Sequence, residues 1–285
     1  MRRVRWIAAA GAVALALSVA AAPAHAAPDP APPGANDFNC KPSAAHPRPV
    51  VLVHGLGATM SANWSYQAPR IKAAGYCVFA LTYGVDPRTT WLPYAPGGVV
   101  RMEQSARELD AFVDRVLDAT GATRVDLVGH SEGTVMPRWY LERLGGAEKV
   151  KHFVAMAPLW RGTKLGGFAF FQALAGPNMS APFLSLASAI CGSCPQFVAG
   201  SDYLNSLNAD GEAVPGVDHT NIVTRYDVLV QPYTSGFMRD GGQNILLQDV
   251  CPLDLNEHST IAIDPVVTQL IVNALEPANA KPVKC

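Results

Sequence analysis

The stretch LVGHSEGTVMPRWYLERL, residues 127–144, places two glycines around a serine where an apolar run gives way to a helical pattern. Gly129, Ser131 and Gly133 form the pattern Gly-x-Ser-x-Gly, which is typical of a sharp turn between a strand and a helix. At the two glycine positions, larger side chains would collide with the adjacent strand and helix. The turn lifts the serine hydroxyl above the carboxyl end of the sheet, where α/β folds bind ligands. We therefore predict Ser131 as a nucleophile. The alternative is a tight turn without chemistry.

Strand and helix patterns alternate on both sides of this turn. Continuous apolar runs that stop at a turn are typical of buried parallel strands, and amphipathic runs between them are typical of crossover helices. The alternation predicts an α/β fold with a mostly parallel central sheet flanked by helices. The predicted strands cover residues 49–57, 76–83, 124–129, 150–157, 221–230 and 244–250, and the predicted helices cover 69–75, 101–119, 132–144 and 265–275.

A serine hydroxyl needs a base, and in this type of fold an acid and then a histidine follow the serine along the chain. His258 lies in a loop after the last predicted strand, and Asp227 follows the apolar run NIVTRY, so we predict these two as base and acid. Asp227 would orient the imidazole and stabilise its charged form. The rival histidines are His152 and His219, and the rival acids are Asp240, Asp249 and Asp254.

Two backbone N–H groups are predicted to stabilise the oxyanion that forms when the serine attacks. One belongs to Glu132, the residue after the serine, and the other to Leu56 in the glycine-rich turn after the first predicted strand. The helix that starts beside Ser131 directs its positive end to the same place. His54 precedes the serine and is more consistent with packing or capping of its loop.

Residues 159–219 interrupt the alternation and are rich in glycine, proline, serine and aromatic residues. A loop of this length in a compact domain is usually a lid or a binding element. We predict a cap whose apolar side chains line a pocket for an acyl chain; the alternative is that they only cover the sheet. The candidates are Leu159, Trp160, Phe168, Phe171 and Phe183, with Trp64 and Trp91 from earlier loops at the rim.

The start of the chain is predicted to be an export signal. Three arginines precede an apolar run at 6–22, and small residues follow it, so residues 1–26 indicate a secretory signal peptide. A membrane anchor is the alternative, although the run is short for a span. Residues 27–48 would then be a Pro/Ala-rich arm and 49–285 the catalytic domain. This predicts a secreted protein without a transmembrane anchor after signal removal.

Six cysteines lie beyond the signal segment, an even number that suggests disulfides in an exported chain. Many pairings are possible, and only proximity along the chain favours particular ones. The C-x-x-C pair could alternatively be a redox motif, although no βαβ pattern surrounds it. The favoured pairs are Cys40–Cys77, Cys191–Cys194 and Cys251–Cys285.

Charge and motifs exclude several other classes of protein. The net charge is −1, and no Lys/Arg run offers a surface for nucleic acid. The sequence has no phosphate-binding loop, no dinucleotide fingerprint and no zinc-ligand spacing. We therefore predict no cofactor, no metal and no nucleic-acid partner, and a monomer.

At these motifs the chain resembles the α/β-hydrolases and, among them, the secreted bacterial class 2 lipases. The resemblance covers nearly all residues after the signal and rests on VVLVHGLG, GHSEG, AMAPLWRGT, TRYDVLVQP and NEHSTIAID; a looser one is to fungal lipase B. It implies the triad Ser131, Asp227 and His258, and hydrolysis of carboxylic esters, with triacylglycerols as the substrate class and no catalytic metal. Glu132 departs from the pattern because Met or Gln is common there, and Thr134 replaces a frequent glycine.

Other functions would use the same residues. A polyester depolymerase or an acyltransferase would share the triad, with a polymer ester or an acceptor alcohol as the distinguishing substrate. A non-enzymatic secreted binding module would require one triad position to be wrong, and none is. The predicted partners are an ester substrate, either lipid or polyester, and a lipid–water interface.

Overall fold

The computed structural model describes residues 29–90, 94–165 and 189–285, together with single positions 169 and 182. Within these residues six parallel strands form one sheet with helices on both faces. Parallel neighbours require crossover connections, which the helices supply. In chain order the strands are β1 (Val50–Val53), β2 (Val78–Leu81), β3 (Val125–His130), β4 (Val150–Met156), β5 (Asp218–Val223) and β6 (Gln243–Leu246), and they lie side by side as β2-β1-β3-β4-β5-β6.

The longest helix shows how the sequence pattern fixes an element. Leu109, Val113 and Val116 are fully buried on its inner side, and Gly121 ends it in the left-handed conformation, with φ 75°. The described helices are α1 (Met60–Trp64), α2 (Gln67–Ala73), α3 (Met102–Thr120), α4 (Glu132–Arg143), α5 (Gly146–Lys149), α6 (Asp202–Leu207), α7 (Leu247–Val250) and α8 (Pro265–Leu275), with short 3₁₀ turns between some of them.

Both faces of the sheet are buried, which explains the unbroken apolar runs. Along β1, Val51 and Val53 pack in the core beneath α3 and α4, whereas Val50 and Leu52 pack in the core beneath α2 and α8. All four side chains are inaccessible to solvent. Each such burial contributes about 1.5–3 kcal/mol, so the central strands anchor the turns at their ends.

Two predicted strands are wrong in extent. The run at 221–230 is a strand only to the end of β5, because a turn begins at Thr224, whose hydroxyl donates to the carbonyl of Asn256 at 2.6 Å. The run at 244–250 divides into β6 and the one-turn helix α7. Apolar residues alone did not distinguish a short strand from a strand followed by a helical turn.

The region predicted as a cap, 159–219, is in part an ordinary piece of the fold. Its last two residues belong to β5, and α6 lies within it. Phe197 and Leu204 are buried in the core, and Thr163 forms a bridge with Val198. The described part therefore packs on the sheet, and much of the remainder lies outside the described residues.

The described part of the arm, residues 29–48, lies against the edge strand β2. The side chain of Asn36 pairs with both backbone groups of Ala80, each at 2.8 Å. The bond between Cys40 and Cys77 joins the arm to the residue just before β2. An uncovered edge strand can pair with other chains, and the arm closes this edge.

Three disulfides are present, and the prediction from proximity is confirmed. Their Cα–Cα separations are 5.8, 5.5 and 5.5 Å, the usual range for such bonds. The signal segment at 1–26 lies outside the described residues. Across 29–90, 94–165 and 189–285, none of the helices has the length and apolar character needed to cross a membrane. The pairs are Cys40–Cys77, Cys191–Cys194 and Cys251–Cys285.

Candidate active site

Ser131 lies on the turn between β3 and α4, and its backbone is strained, with φ 55° and ψ −123°. A Cβ on Gly129 would lie 2.0 Å from the carbonyl oxygen of Gly133, and a Cβ on Gly133 would lie 2.2 Å from that of Val53. Space therefore requires both glycines. The Ser131 N–H donates to the carbonyl of Met156 at 3.0 Å, which ties the turn to the end of β4.

Asp227 and His258 meet across two loops at the same end of the sheet. Nδ1 of His258 lies 2.8 Å from Oδ2 of Asp227, and both side chains are buried. The other carboxylate oxygen accepts the N–H groups of Leu229 at 2.9 Å and Val230 at 2.7 Å. These donors fix the carboxylate. It then holds the imidazole with Nδ1 as its donor, which leaves Nε2 able to act as a base.

Ser131 and His258 line one pocket of about 190 Å³ beyond the carboxyl ends of β1 and β3, where α/β sheets bind ligands. A larger cavity of about 440 Å³, lined by Arg161 and Glu212 among others, contains no residue of the predicted triad. Chemistry rather than size therefore identifies the candidate site. Its walls are Gly55, Leu56, Ala58, Ala62, Asn63, His130, Ser131, Leu229, His258, Ser259, Ala262 and Ile263.

The rival histidines have other partners. His152 lies at the amino ends of the strands, with Nδ1 3.1 Å from Oδ1 of Asp126. His219 accepts the N–H of Val214 at Nε2 at 3.0 Å, and burial lowers its pKa to about 4. Neither lines the pocket that contains Ser131.

The rival acids serve local structure. Asp240 accepts the N–H of Glu212 at 2.9 Å, and Asp254 accepts the N–H of Asn256 at 2.8 Å. Asp249 lies on α7 with 72% of its side chain exposed. Among the predicted acids, Asp227 is the one that contacts His258.

His130 is a neighbour of the candidate triad that was not predicted from the sequence. Its Nε2 donates to the backbone carbonyl of His258 at 2.8 Å, and its Nδ1 lies 3.0 Å from Oδ1 of Asn63. Burial, followed by the charge of His258, lowers the pKa of His130 to about 3. Asn63 Oδ1 also accepts the N–H of Gly55 at 3.0 Å. The sequence did offer one indication of its position: His130 is a polar residue at the end of an apolar strand, directly before the predicted nucleophile.

The two predicted oxyanion donors lie at the ends of neighbouring strands. Leu56 follows β1 and lines the pocket, and Glu132 is the first residue of α4. Within the described residues neither N–H group has an acceptor. The adjacent Gly57 N–H is already committed to the carbonyl of Gly97 at 2.8 Å. Helix N-termini supply such unpaired donors.

Several predicted substrate-binding residues are core residues instead. Trp64 and Trp160 are fully buried, and Leu159 is 2% exposed. Trp160 packs against Phe153 and donates its indole N–H to Asn221 at 3.0 Å, because β5 offers a polar partner inside the core. In this structure these three side chains pack in the core and do not line the pocket that contains Ser131. The other candidates lie outside the described residues: Trp91, Phe168, Phe171 and Phe183.

The described part of the chain has no group of three or more His, Cys, Asp or Glu side chains that could hold a metal ion. The pocket itself offers a strained serine, an oriented imidazole and backbone N–H groups.

A parallel sheet that presents a serine on this turn defines the class of the α/β-hydrolases. Lipase B of Aspergillus fumigatus shares the fold with a TM-score of 0.63 and 17% identity, covering 91% of this chain and 65% of that one. The mature form of the Bacillus licheniformis lipase BlEst2 shares the fold with a TM-score of 0.59 and 14% identity, covering 82% of this chain and 94% of that one. At such identities the likeness shows the fold alone.

The family described as Lipase (class 2) matches residues 47–271, and the chain belongs to that family. Among curated proteins, Lipase lipl-3 of Caenorhabditis elegans is 31% identical over 147 residues, which cover 44% of this chain and 35% of that protein. Lipase lipl-1 of the same organism is 29% identical over 133 residues, covering 39% and 31%. The chain thus spans about a third of the length of these nematode relatives.

Proposed function

We propose that this protein is a secreted carboxylic ester hydrolase that acts on triacylglycerols through Ser131, His258 and Asp227. One observation carries the proposal: a histidine held by a buried carboxylate lines the same small pocket as a serine on a strained turn. Membership of the lipase family supports ester substrates. The three disulfides support an oxidising, extracellular location.

The reaction is transfer of an acyl group to water. Oγ of Ser131 attacks the ester carbonyl carbon while Nε2 of His258 accepts its proton. His258 then gives this proton to the leaving alcohol, the C–O bond breaks, and an acyl-enzyme remains. Water attacks the acyl-enzyme in the same way and releases the carboxylic acid. Asp227 stabilises the imidazolium throughout and keeps its own charge.

The N–H groups of Leu56 and Glu132 would hold the oxyanion of each tetrahedral intermediate. Their lack of acceptors within the described residues supports this role, since a donor that is already paired could not strengthen its bond as charge develops. Removing one such donor costs about 10²–10³ in rate in related chemistry. His130 and Asn63 would position the base and the oxyanion loop through the contacts described above.

Exposed apolar side chains favour a lipid surface as the place of action. Leu253, Leu255 and Ile263 lie on the segment that carries His258, and Tyr226 and Val228 flank the acid. Their exposed fractions run from 42% to 92%, although large apolar side chains are usually covered. An aggregated ester substrate would cover them while its acyl ester enters the pocket.

Hydrolysis of p-nitrophenyl butyrate, p-nitrophenyl palmitate and an emulsified triglyceride tests the proposal. The wild type should act on all three, and Ser131→Ala should lower kcat by about 10⁵-fold or more, because removal of the nucleophile leaves only binding and electrostatics. Ser206→Ala, on the exposed surface of α6, is the matched control and should keep wild-type activity. A polyester film and an acceptor alcohol in parallel assays test the two enzyme alternatives.

Substantial activity in Ser131→Ala would overturn the mechanism. Cleavage of the butyrate ester alone would leave the mechanism standing but replace the triacylglycerol substrate with short soluble esters. Labelling of Ser131 by a fluorophosphonate, located by peptide mass, identifies the nucleophile without any assumption about the substrate.

A further inference from the structure

The side chain of Glu132 is buried although glutamate is normally exposed. It is 1% exposed and is not part of the pocket wall. Its carboxyl group contacts two hydroxyl groups: Tyr83, in the segment after β2, lies 3.4 Å from Oε1, and Ser193, inside the Cys191–Cys194 disulfide loop, lies 3.1 Å from Oε2. Three segments of the fold therefore meet at this carboxyl.

The hydroxyl protons around the carboxyl are already committed. Tyr83 donates to the carbonyl of His54 at 2.7 Å, and Ser193 donates to the carbonyl of Gly98 at 2.6 Å. A carbonyl oxygen only accepts, so each hydroxyl gives its single proton there and turns lone pairs toward Glu132. An ionised carboxylate would face lone pairs alone. A protonated carboxyl completes the network by donating its O–H to Ser193.

Burial disfavours the ionised form of Glu132. Burial raises the pKa of Glu132 well above its ordinary 4.5. Two titratable groups interact with its charge, Tyr83 and Tyr203, and burial raises the pKa of both hydroxyl groups. The buried Arg138 acts on Tyr203 and is committed to Glu142 and to backbone carbonyls. Among the described residues no Lys or Arg side chain contacts the carboxyl.

The network also connects both proposed oxyanion donors. A Cβ on Gly98 would lie 3.0 Å from Oε1 of Glu132 and 3.3 Å from Cα of Leu56, so the backbone of Gly98 fits closely between them. The preceding Gly97 donates to the carbonyl of Ala58 at 2.9 Å and pairs with the oxyanion loop. A shift of the carboxyl would reach Leu56 through this backbone, because Gly98 contacts both residues closely.

We propose that Glu132 is a positioning residue whose side chain is a neutral carboxylic acid at neutral pH, and that loss of its proton at alkaline pH displaces the oxyanion donors and stops hydrolysis. The activity part of this proposal rests on the proposed function. The inference that the carboxyl is protonated rests on the geometry of the hydroxyl groups of Tyr83 and Ser193 and does not depend on the proposed function.

Unfolding by denaturant between pH 5 and pH 9 tests the protonated carboxyl without any assay of activity. Glu132→Gln places an N–H donor at the same position and does not titrate. The folded wild type keeps a proton that the unfolded chain releases above pH 4.5, so its stability falls as pH rises. The ratio of folded to unfolded wild type should fall about tenfold per pH unit relative to the variant, up to the pH at which the folded protein releases the proton.

The matched control is Glu148→Gln, at an exposed glutamate on α5, whose unfolding curves should stay parallel to those of the wild type. Parallel curves for wild type and Glu132→Gln would overturn the proposal, because both chains would then bind the same number of protons. If Glu132→Gln does not fold, Glu132→Met serves the same comparison, since it is also neutral and unbranched.

The pH profile of kcat on p-nitrophenyl butyrate tests the positioning role. The kcat of the wild type and of Glu148→Gln should fall about tenfold per pH unit above the pKa of Glu132. The kcat of Glu132→Gln, normalised to its own value at pH 7, should fall less. Identical normalised profiles would overturn the role. Absence of hydrolysis in all proteins would overturn the proposed function and the alkaline loss together, while the unfolding curves would still judge the protonated carboxyl.

Discussion

The carboxyl and amino ends of the sheet each hold a buried histidine beside a buried aspartate. At the carboxyl end His258 and Asp227 are 2.8 Å apart, and Nε2 of the imidazole has no hydrogen bond within the described residues. At the amino end His152 lies 3.1 Å from Asp126, and its second ring nitrogen lies 3.4 Å from Asp218. Nδ1 of His152 also contacts the guanidinium of Arg48 at 3.3 Å, so both ring nitrogens lie beside charged partners.

The two aspartates differ in what holds them. Asp126 accepts the Nε–H of Arg48 at 2.8 and 3.0 Å, and the N–H of His152 at 3.0 Å, so its charge is paired. Asp227 is held by backbone N–H groups and the imidazole, without an arginine or lysine partner among the described residues. The charges at the amino end are compensated and stabilise the fold, whereas the groups at the carboxyl end are left able to react and form the proposed site. A His–Asp pair alone therefore does not distinguish a structural pair from a catalytic one.

The largest expected effect separates the two histidines. His258→Ala should lower kcat on p-nitrophenyl butyrate by about 10⁵-fold, because the serine loses its base. His152→Ala should leave kcat within about twofold, because it lies at the opposite end of the sheet. Steady-state kinetics on both purified variants measures the difference. Equal losses would mean that the two ends are not functionally distinct.

Substitutions of the two aspartates should also differ in effect: one should lower kcat, and the other should lower the free energy of unfolding. Asp227→Asn should lower kcat by about 10⁴-fold with little loss of stability, because the imidazole loses its orientation and the support for its charge. Asp126→Asn should keep kcat but lower the free energy of unfolding by roughly 2–3 kcal/mol, because the partly buried Arg48 loses its partner. Denaturant unfolding beside the kinetics checks both. A large kcat loss in Asp126→Asn would contradict the comparison.

The smallest expected effect concerns the exposed apolar side chains. The double variant Leu253→Ser/Leu255→Ser should lower the rate on emulsified triglyceride by about tenfold, because two side chains no longer enter the lipid. Its rate on soluble p-nitrophenyl butyrate should not change, since neither residue lines the pocket. The control is the double variant Ala278→Ser/Ala280→Ser, whose two exposed positions lie near the amino end of the sheet, far from His258. Equal losses on both substrates would point to damage at the His258 loop.

The elbow and the order of the candidate triad could be predicted because both are local or topological. Gly129 and Gly133 are required by backbone contacts, and the strand order brings the loops of Asp227 and His258 to the end of the sheet that holds Ser131. The disulfides were predicted because each cysteine is bonded to its neighbour along the chain, and proximity along the chain was the criterion.

The walls of the site could not be predicted, because they depend on which side of each loop faces inward. Trp64 and Trp160 are apolar enough for a substrate groove and equally suited to a core, and the packing of α1 and β5 decided the matter. The contacts of His130 and the network around Glu132 depend on burial and on partners from distant segments. No local pattern carries that information.

The arm on β2 has a consequence for anyone who trims this enzyme to a minimal catalyst. A chain that starts at residue 49 would lose Cys40 and leave Cys77 as a free thiol beside an uncovered edge strand. Two copies could then pair edge to edge and oxidise into a covalent dimer. Carriers and immobilisation tags are therefore better attached to a chain that keeps residues 29–48, although no part of the proposed chemistry lies there.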